Sequence, residues 1–124
     1  MQVKKLPDGG RRSAGDQAEA LAAAFLERRG LRVLERNWRV RGGEIDLICD
    51  DHGSLVFVEV RLRTHSEFGG AAASITVTKQ RRVILAARHY LAGKREQPCR
   101  FDAVLLSELR EDSIEWIRDA FAAD

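Results

Sequence analysis

Residues 43–61, which read GEIDLICDDHGSLVFVEVR, strongly constrain what this chain can fold into. Two apolar runs rich in β-forming side chains, residues 45–49 and 55–60, flank a short junction of Asp, His, Gly and Ser. Apolar β-type runs separated by turn-forming residues are typical of an antiparallel hairpin. The segment therefore predicts two neighbouring strands at the centre of the fold.

The register of this hairpin determines which charged residues meet. If Asp50 pairs with Leu55, Asp46 faces Glu59 and Glu44 faces Arg61. Facing residues lie on the same side of the sheet, with Cβ atoms about 4.5–5.5 Å apart. Two carboxylates at that separation repel unless a proton or a cation lies between them. A divalent ion such as Mg²⁺, which prefers oxygen ligands, would remove the repulsion.

On this register the two faces of the hairpin differ. One is plain apolar core and carries Ile45, Leu47, Cys49, Val56, Val58 and Val60. The other is mixed and carries Glu44, Asp46, Ile48, Phe57, Glu59 and Arg61.

Each charged residue of the mixed face also has a structural interpretation. Glu44 and Arg61 could form a cross-strand ion pair worth about 0.2–1 kcal/mol. Glu59 could pair with Arg61 or Arg63 in solvent. Asp46 is harder to explain in this way, because an aspartate inside an otherwise apolar strand is disfavoured. From the residues alone, the metal site and the structural interpretation both stay open.

The length of 124 residues and the composition indicate one globular domain. We expect residues 1–12 to be a flexible basic tail and residues 13–124 to form the domain. No apolar stretch is long enough to cross a bilayer, and no signal-peptide pattern opens the chain. Cys49 and Cys99 belong to no CxxC or Cys/His motif, so we expect reduced, buried thiols in a cytoplasmic protein.

Charge is distributed unevenly along the chain. Residues 1–100 hold 19 Lys and Arg against 12 Asp and Glu, a balance of +7, whereas residues 101–124 hold 2 against 7, a balance of −5. Arginine provides most of the positive excess, and its planar guanidinium suits phosphate oxygens. Such clusters are typical of polyanion-binding surfaces, although a solvated basic face has the same composition.

The order of elements predicts the fold class. An apolar stripe predicts a helix from about residue 15 to residues 28–30, capped by Ser13 or Asp16, with Glu19 beside the stripe. A strand over 31–40 and the hairpin follow, then a loop to residue 78 and a second helix with Thr78 as N-cap. Strands over 99–107 and around 114–117 complete the order α-β-β-β-α-β-β, which predicts an α/β domain with a mixed sheet flanked by helices.

Several motifs together resemble one known family. The runs RGGEIDLI, VFVEVR, FGGAAASITVTKQRR, CRFDAV and EWIRDAF are similar, in order and spacing, to the YraN family of small bacterial proteins. The resemblance extends over residues 15–121 and implies a restriction-endonuclease-like fold, also shared with archaeal Holliday-junction resolvases. Those nucleases carry an Asp…(Asp/Glu)-X-Lys signature. The resemblance implies that Asp46 is the first acid and that Glu59, Val60 and Arg61 take the place of the second part.

The same resemblance implies further site residues. Glu19 matches a glutamate on the first helix of related resolvases, and Lys79 and Gln80 match a Lys-Gln pair that opens the helix after the hairpin. One departure is chemical: Arg61 stands where these nucleases have lysine. An arginine stays protonated, so it can stabilise phosphate charge but cannot serve as a base.

These observations lead to one expected function and two alternatives. We expect an endonuclease dependent on Mg²⁺ or Mn²⁺ that hydrolyses DNA phosphodiester bonds, with branched DNA as one substrate type. The alternatives are a non-catalytic nucleic-acid-binding module and an adaptor whose acidic residues are structural. A resolvase-like role would favour a two-fold homodimer. The expected catalytic residues are Glu19, Asp46, Glu59 and Arg61, with Asp46 and Glu59 as metal ligands, and the expected nucleic-acid contacts are Arg41, Arg63, Lys79, Gln80, Arg81 and Arg82.

Overall fold

The structure is a computed structural model that describes residues 13–63 and 75–123. The expected tail over 1–12 and residues 64–74 of the expected loop lie outside the described residues.

Two helices and five strands make up the fold, in the predicted order α-β-β-β-α-β-β. They are α1 (Ala14–Arg28), β1 (Arg32–Val40), β2 (Gly43–Asp51), β3 (Ser54–Leu62), α2 (Val77–Leu91), β4 (Cys99–Leu106) and β5 (Ile114–Phe121), with a short 3₁₀ turn at Glu111–Ser113 before β5. The strands form one sheet in the order β1-β2-β3-β4-β5. All neighbours are antiparallel except β3 and β4, which are parallel. Parallel neighbours need a crossover connection, and α2 lies in it.

The hairpin has the predicted register. Asp50 pairs with Leu55 and Leu47 with Val58. Only His52 and Gly53 lie between the last pair of strand residues, and both have positive φ, 52° and 99°. Two successive residues of this kind form the tight turn whose twist matches that of the flanking strands.

Each face of the sheet is covered by one helix. Helix α1 packs on a cluster that includes Leu47, Cys49, Val56 and Val58. Helix α2 packs on the opposite cluster, which includes Ile45, Ile48 and Phe57. The expectation that Ile45 shares a face with Leu47 is therefore wrong. Side chains two apart in a regular strand share a face, so the alternation is broken between these two residues, at Asp46.

Several local expectations also change. Ser13 caps α1 as predicted, with its Oγ accepting from the Asp16 N–H at 3.0 Å. Thr76, and not Thr78, caps α2: it has extended backbone and its Oγ1 accepts from the Lys79 N–H at 3.2 Å. Thr78 already lies within the helix. The last strand extends to Phe121 rather than ending near residue 117, and Cys99 is exposed at the start of β4, whereas Cys49 is buried.

Gly43 allows α2 to approach the start of β2 very closely. A Cβ atom at this position would lie 2.6 Å from the carbonyl oxygen of Arg82 and 3.0 Å from the amide nitrogen of Ala86. Only glycine permits this backbone-to-backbone contact. The contact fixes the first half of α2 beside the acidic end of the hairpin.

No helix within residues 13–63 and 75–123 is long and apolar enough to cross a membrane.

Candidate active site

Two carboxylates are buried where β2 and β3 diverge. Asp46 is 7% exposed and Glu59 is 2% exposed. The ladder between the two strands ends at the pair Leu47 and Val58. One residue further on, Oδ2 of Asp46 accepts the backbone N–H of Val60 at 2.8 Å. Asp46 and Glu59 are not a ladder pair. The Asp46 side chain instead accepts the N–H of the residue after Glu59, and this hydrogen bond holds it close to Glu59.

Glu19 adds a third carboxylate from α1. Asp46 lies close enough to both Glu19 and Glu59 for its charge to act on each of them. Burial, followed by the charge of Asp46, raises the pKa of Glu19 and that of Glu59 to about 7 in each case. Burial also raises the pKa of Asp46. These three residues, Glu19, Asp46 and Glu59, are called the acidic cluster below, and near neutral pH the cluster retains bound protons.

Within the described part of the chain, Lys79 is the cation that forms an ion pair with a carboxylate of the cluster. Its Nζ lies 3.3 Å from Oε2 of Glu59, and its charge lowers the pKa of both Glu59 and Asp46 against the effect of burial. The idea that Glu59 pairs with Arg61 or Arg63 in solvent is therefore wrong. Lys79 was expected only as a nucleic-acid contact, and the structure places it at the acidic cluster.

The expected partner of Glu44 is also different. Glu44 pairs with Arg82 of α2, at 3.3 Å between Oε1 and Nη2. The cross-strand pair of Glu44 with Arg61 is absent from the described part of the chain, because α2 supplies the nearer guanidinium.

Arg61 occupies the signature position one residue beyond Val60. It is partly buried, and its Nε is fully buried without a hydrogen-bond partner. In the described ranges it forms no ion pair with a carboxylate. A buried N–H without an acceptor is costly, so the position of Arg61 lowers the stability of the fold.

The remaining expected nucleic-acid contacts have different surroundings. Arg41 is exposed in the turn before β2 and Arg63 is half-buried after β3. Gln80 donates from Nε2 to the Ile75 carbonyl at 3.0 Å. Arg81 lines a surface cavity of about 470 Å³, together with Val77, Gln80, Ile84, Leu85, Arg88 and Ala122.

Asp102 shows what a structural buried acid looks like in the same sheet. It is fully buried on β4 and has a complete set of donors. Arg100 Nε lies 3.0 and 3.2 Å from its two oxygens, Trp116 Nε1 donates at 2.9 Å, and the Asp119 N–H donates at 3.0 Å. By comparison, Asp46 accepts one backbone N–H and Glu59 faces one ammonium. Burial of Asp102 is explained by its partners, whereas burial of the cluster is not.

The donor atoms of the cluster fit a hard divalent cation. They are carboxylate oxygens, without a thiolate or imidazole, and this is the ligand type of Mg²⁺ and Mn²⁺. Among residues 13–63 and 75–123, no group of three or more His, Cys, Asp or Glu side chains is arranged to hold a metal ion by itself. Mg²⁺ does not require such a group, since it commonly takes one or two carboxylates together with waters and substrate phosphate oxygens.

Asn37 is a site neighbour that the sequence reasoning missed. It has a left-handed φ of 53° within β1, and its amide lowers the pKa of the neighbouring Glu19 carboxyl. The available signal was an asparagine inside a strand, because asparagine is rare in strands and tolerates positive φ.

Comparison with known proteins identifies the family. The model of the family described as "Uncharacterised protein family UPF0102" matches residues 18–106. The chain belongs to the UPF0102 (YraN) family. A UPF0102 protein of Dechloromonas aromatica is 61% identical over 110 residues, which cover 89% of each chain. One from Nitrosomonas europaea is 60% identical over 108 residues, covering 86% of this chain and 92% of the relative. The matched UPF0102 region contains the whole acidic cluster and α2.

Proposed function

We propose that this UPF0102 protein is an endonuclease that depends on Mg²⁺ or Mn²⁺ and acts on nucleic acid, with DNA as the expected substrate. One observation carries the proposal: two buried carboxylates, Asp46 and Glu59, approach each other with raised pKa values and few partners. Such an arrangement lowers stability, and perturbed carboxylates of this kind concentrate at functional sites. Asp102 supports the distinction, because an acid buried for structure in this sheet is fully hydrogen-bonded.

Asp46 and Glu59 would hold the ion, and Glu19 would approach it from α1. When bound, a divalent ion neutralises the cluster, polarises a phosphate and stabilises charge on the leaving oxygen. The N–H of Val60 orients the Asp46 carboxylate through a 2.8 Å hydrogen bond to Oδ2. The β2–β3 end thus provides a rigid pair of oxygen ligands.

Lys79 is the residue that we propose for the cationic role of the signature lysine. Arg61 takes the signature place in the sequence, but an arginine remains protonated and cannot accept a proton. Lys79 brings an ammonium to 3.3 Å from Glu59 by way of α2. From there it can stabilise negative charge that develops on the phosphate. Arg61, the residue after Val60, is a second cation that would stabilise phosphate charge.

The charge distribution supports a polyanionic substrate. The balance of +7 over residues 1–100 would attract nucleic acid through phosphate contacts. Arg41, Arg63, Gln80, Arg81 and Arg82 are our candidates for those contacts. A nucleic-acid substrate agrees with the cytoplasmic location expected from the sequence, and the homodimer remains a separate proposal that sedimentation analysis would test.

The first test is calorimetric titration of Mn²⁺ into the wild type and into Asp46→Ala, with Asp112→Ala as the control. Asp112 is an exposed carboxylate whose partner is Arg110, at 2.8 Å. We expect saturable binding that Asp46→Ala abolishes and Asp112→Ala preserves. Equal binding in all three proteins would contradict the site.

The second test is cleavage of labelled linear, flapped and four-way-junction DNA in Mn²⁺. We expect Asp46→Ala and Glu59→Ala to abolish cleavage while DNA affinity, measured in EDTA, stays close to that of the wild type. Cleavage that survives both substitutions would contradict the nuclease. DNA binding that is steeply salt-dependent, without cleavage of any substrate, would favour the non-catalytic binding module.

A further inference from the structure

Asn37 lies opposite Asp46 on the edge strand. The pairs Arg36 with Leu47 and Trp38 with Ile45 lie on either side of it, so Asn37 and Asp46 occupy the intervening position, where the ladder lacks a pair. The side-chain alternation of β2 breaks at the same place, because Leu47 packs with α1 and Ile45 with α2. The irregularity of the sheet is therefore centred on the acid proposed as the first metal ligand.

The left-handed backbone of Asn37 coincides with this irregularity of the sheet. Three non-glycine residues in the described ranges have positive φ: Asn37, His52 and Asp119. His52 lies in the β2–β3 turn, and Asp119 lies in an irregularity of β5 where its N–H donates to Asp102. Asn37 is neither in a turn nor at a change of register, but at the missing ladder pair beside Asp46. A left-handed L-residue costs roughly 1–2 kcal/mol, less for asparagine, and such strain persists where the surroundings impose it.

The Asn37 side chain points to a role at the cluster. The Asn37 amide lowers the pKa of the neighbouring Glu19 carboxyl, whereas the charge of Asp46 raises it. Asn37 and Glu19, with Asp16 and Arg36, also line a surface cavity of about 390 Å³. Through this cavity Glu19, the member of the cluster on α1, is open to solvent. Lys79 contacts a different member of the cluster, Glu59.

We propose that Asn37 is a positioning residue that holds the Glu19 carboxylate toward Asp46, so that Glu19 acts as an outer member of the divalent-metal site. The inference rests on the proposed metal site. Without the amide, Glu19 is free to turn into the cavity, away from its like-charged neighbour. Outer partners of this kind contribute about 10- to 100-fold to metal affinity.

The experiment compares Asn37→Gly with His52→Gly. Both replacements remove a side chain at φ near 50° and put glycine where its backbone is unstrained, but only Asn37 contacts the cluster. In Mn²⁺ calorimetry we expect Asn37→Gly to weaken binding about 10-fold or more, and His52→Gly to leave it unchanged. In the Glu19→Gln background, Asn37→Gly should then have no further effect on Mn²⁺ affinity.

A second readout needs no metal. Unfolding by urea in EDTA gives a double-mutant cycle for Asn37→Gly and Glu19→Gln, and we expect their effects on the unfolding equilibrium constant to be non-additive by about threefold or more. Additive effects would overturn the contact between the two side chains. Unchanged Mn²⁺ affinity in Asn37→Gly would overturn the positioning role but leave the metal site intact. Absence of Mn²⁺ binding in the wild type would instead overturn the metal site, and with it the role of Asn37 toward an ion.

Discussion

Lys79 Nζ lies 3.3 Å from Oε2 of Glu59, so within the described residues the cation that pairs with this buried acid comes from helix α2 and not from the signature position at Arg61. The contact depends on the docking of α2 against Gly43, where the two backbones meet without an intervening Cβ. The charge beside Glu59 therefore depends on the packing of α2. Substitution of Lys79 changes the charge, and substitution of Gly43 changes the packing.

Replacing Lys79 should matter more at high pH than at low pH. Lys79→Ala removes the ammonium that lowers the pKa of Glu59, so ionisation of Glu59 becomes harder to accommodate in the folded state. We expect a loss of about 1 kcal/mol in the free energy of unfolding at pH 8 and less at pH 5. Urea unfolding at both pH values measures the difference.

Arg82→Ala is the matched control for Lys79→Ala. It removes a cation from the same helix whose partner, Glu44, is partly exposed, and exposed pairs contribute about 0–1 kcal/mol. A loss of stability in Arg82→Ala with the same pH dependence as in Lys79→Ala would show that the helix, and not the ammonium beside Glu59, is responsible. Mn²⁺ affinity should not weaken in Lys79→Ala, because a divalent ion replaces the lost positive charge.

Asp102→Ala should destabilise the protein strongly. The variant leaves Arg100, which is 14% exposed, without its main carboxylate and removes the acceptor of Trp116. Breaking a buried charge pair costs about 3–5 kcal/mol. Chemical denaturation should show this loss, whereas Asp112→Ala at the surface should change stability by less than about 0.5 kcal/mol.

The milder Asp102→Asn retains an acceptor oxygen and provides a folded protein for titration. We expect it to bind Mn²⁺ as the wild type does. Loss of Mn²⁺ binding in folded Asp102→Asn would contradict our separation of the structural acid from the acidic cluster.

Gly43→Ala should weaken the docking of α2. The added Cβ would lie 2.6 Å from the Arg82 carbonyl oxygen. This contact is too short, so the backbone of β2 or of α2 has to shift. Overpacking of this kind costs about 1–3 kcal/mol. Gly15→Ala is the control: its nearest neighbour, Ser13 Oγ, is at 3.9 Å, and alanine favours helix. Thermal unfolding should therefore show a lower Tm for Gly43→Ala and an equal or higher one for Gly15→Ala.

Much of the fold could be predicted from the sequence, because apolar periodicity and turn residues are local signals. The hairpin register followed from the Asp-His-Gly-Ser junction, and the element order followed from the periodicity of each run. The cap at Thr76 was missed because two threonines stand two residues apart and both suit the position. The longer last strand was missed because its polar residues, such as Glu115 and Arg118, hide the pattern.

The site was less accessible to sequence reasoning because its contacts are long-range. The hairpin register predicts that Asp46 and Glu59 lie close together, and they do, although the ladder ends one residue earlier and Asp46 bonds to the Val60 N–H instead. The contacts of Lys79 with Glu59 and of Arg82 with Glu44 depend on how α2 packs across β2, which no local pattern encodes. Asn37 lies on the edge strand β1 with a left-handed backbone. Apolar periodicity predicts a regular strand, in which every residue has negative φ, so it cannot indicate this position.

The acidic cluster should make the protein less stable as the pH rises. The pKa of Glu59 is about 7 in the folded state against an ordinary value of 4.5, chiefly because the side chain is buried. Between these values the folded state binds more protons than the unfolded state, so stability is fully present below pH 4.5 and is lost as the pH rises through about 7. Glu19 titrates in the same direction and over the same range. We expect urea unfolding in EDTA to show a decline of about 1–3 kcal/mol between pH 5 and pH 8.

Glu59→Gln should remove a large part of this decline, because a neutral amide replaces the carboxyl that titrates and relieves the repulsion with Asp46. The variant should therefore be more stable than the wild type at pH 8, even though it loses Mn²⁺ binding. Saturating Mn²⁺ should also flatten the pH profile of the wild type, but through binding and not through removal of the carboxyl. An ion bound only by the folded state adds about 2.7 kcal/mol to the free energy of unfolding when present at 100 times its Kd. A wild-type profile that rises between pH 5 and pH 8 in EDTA would show that the buried acids are compensated within the fold and carry no strain that a cation could relieve.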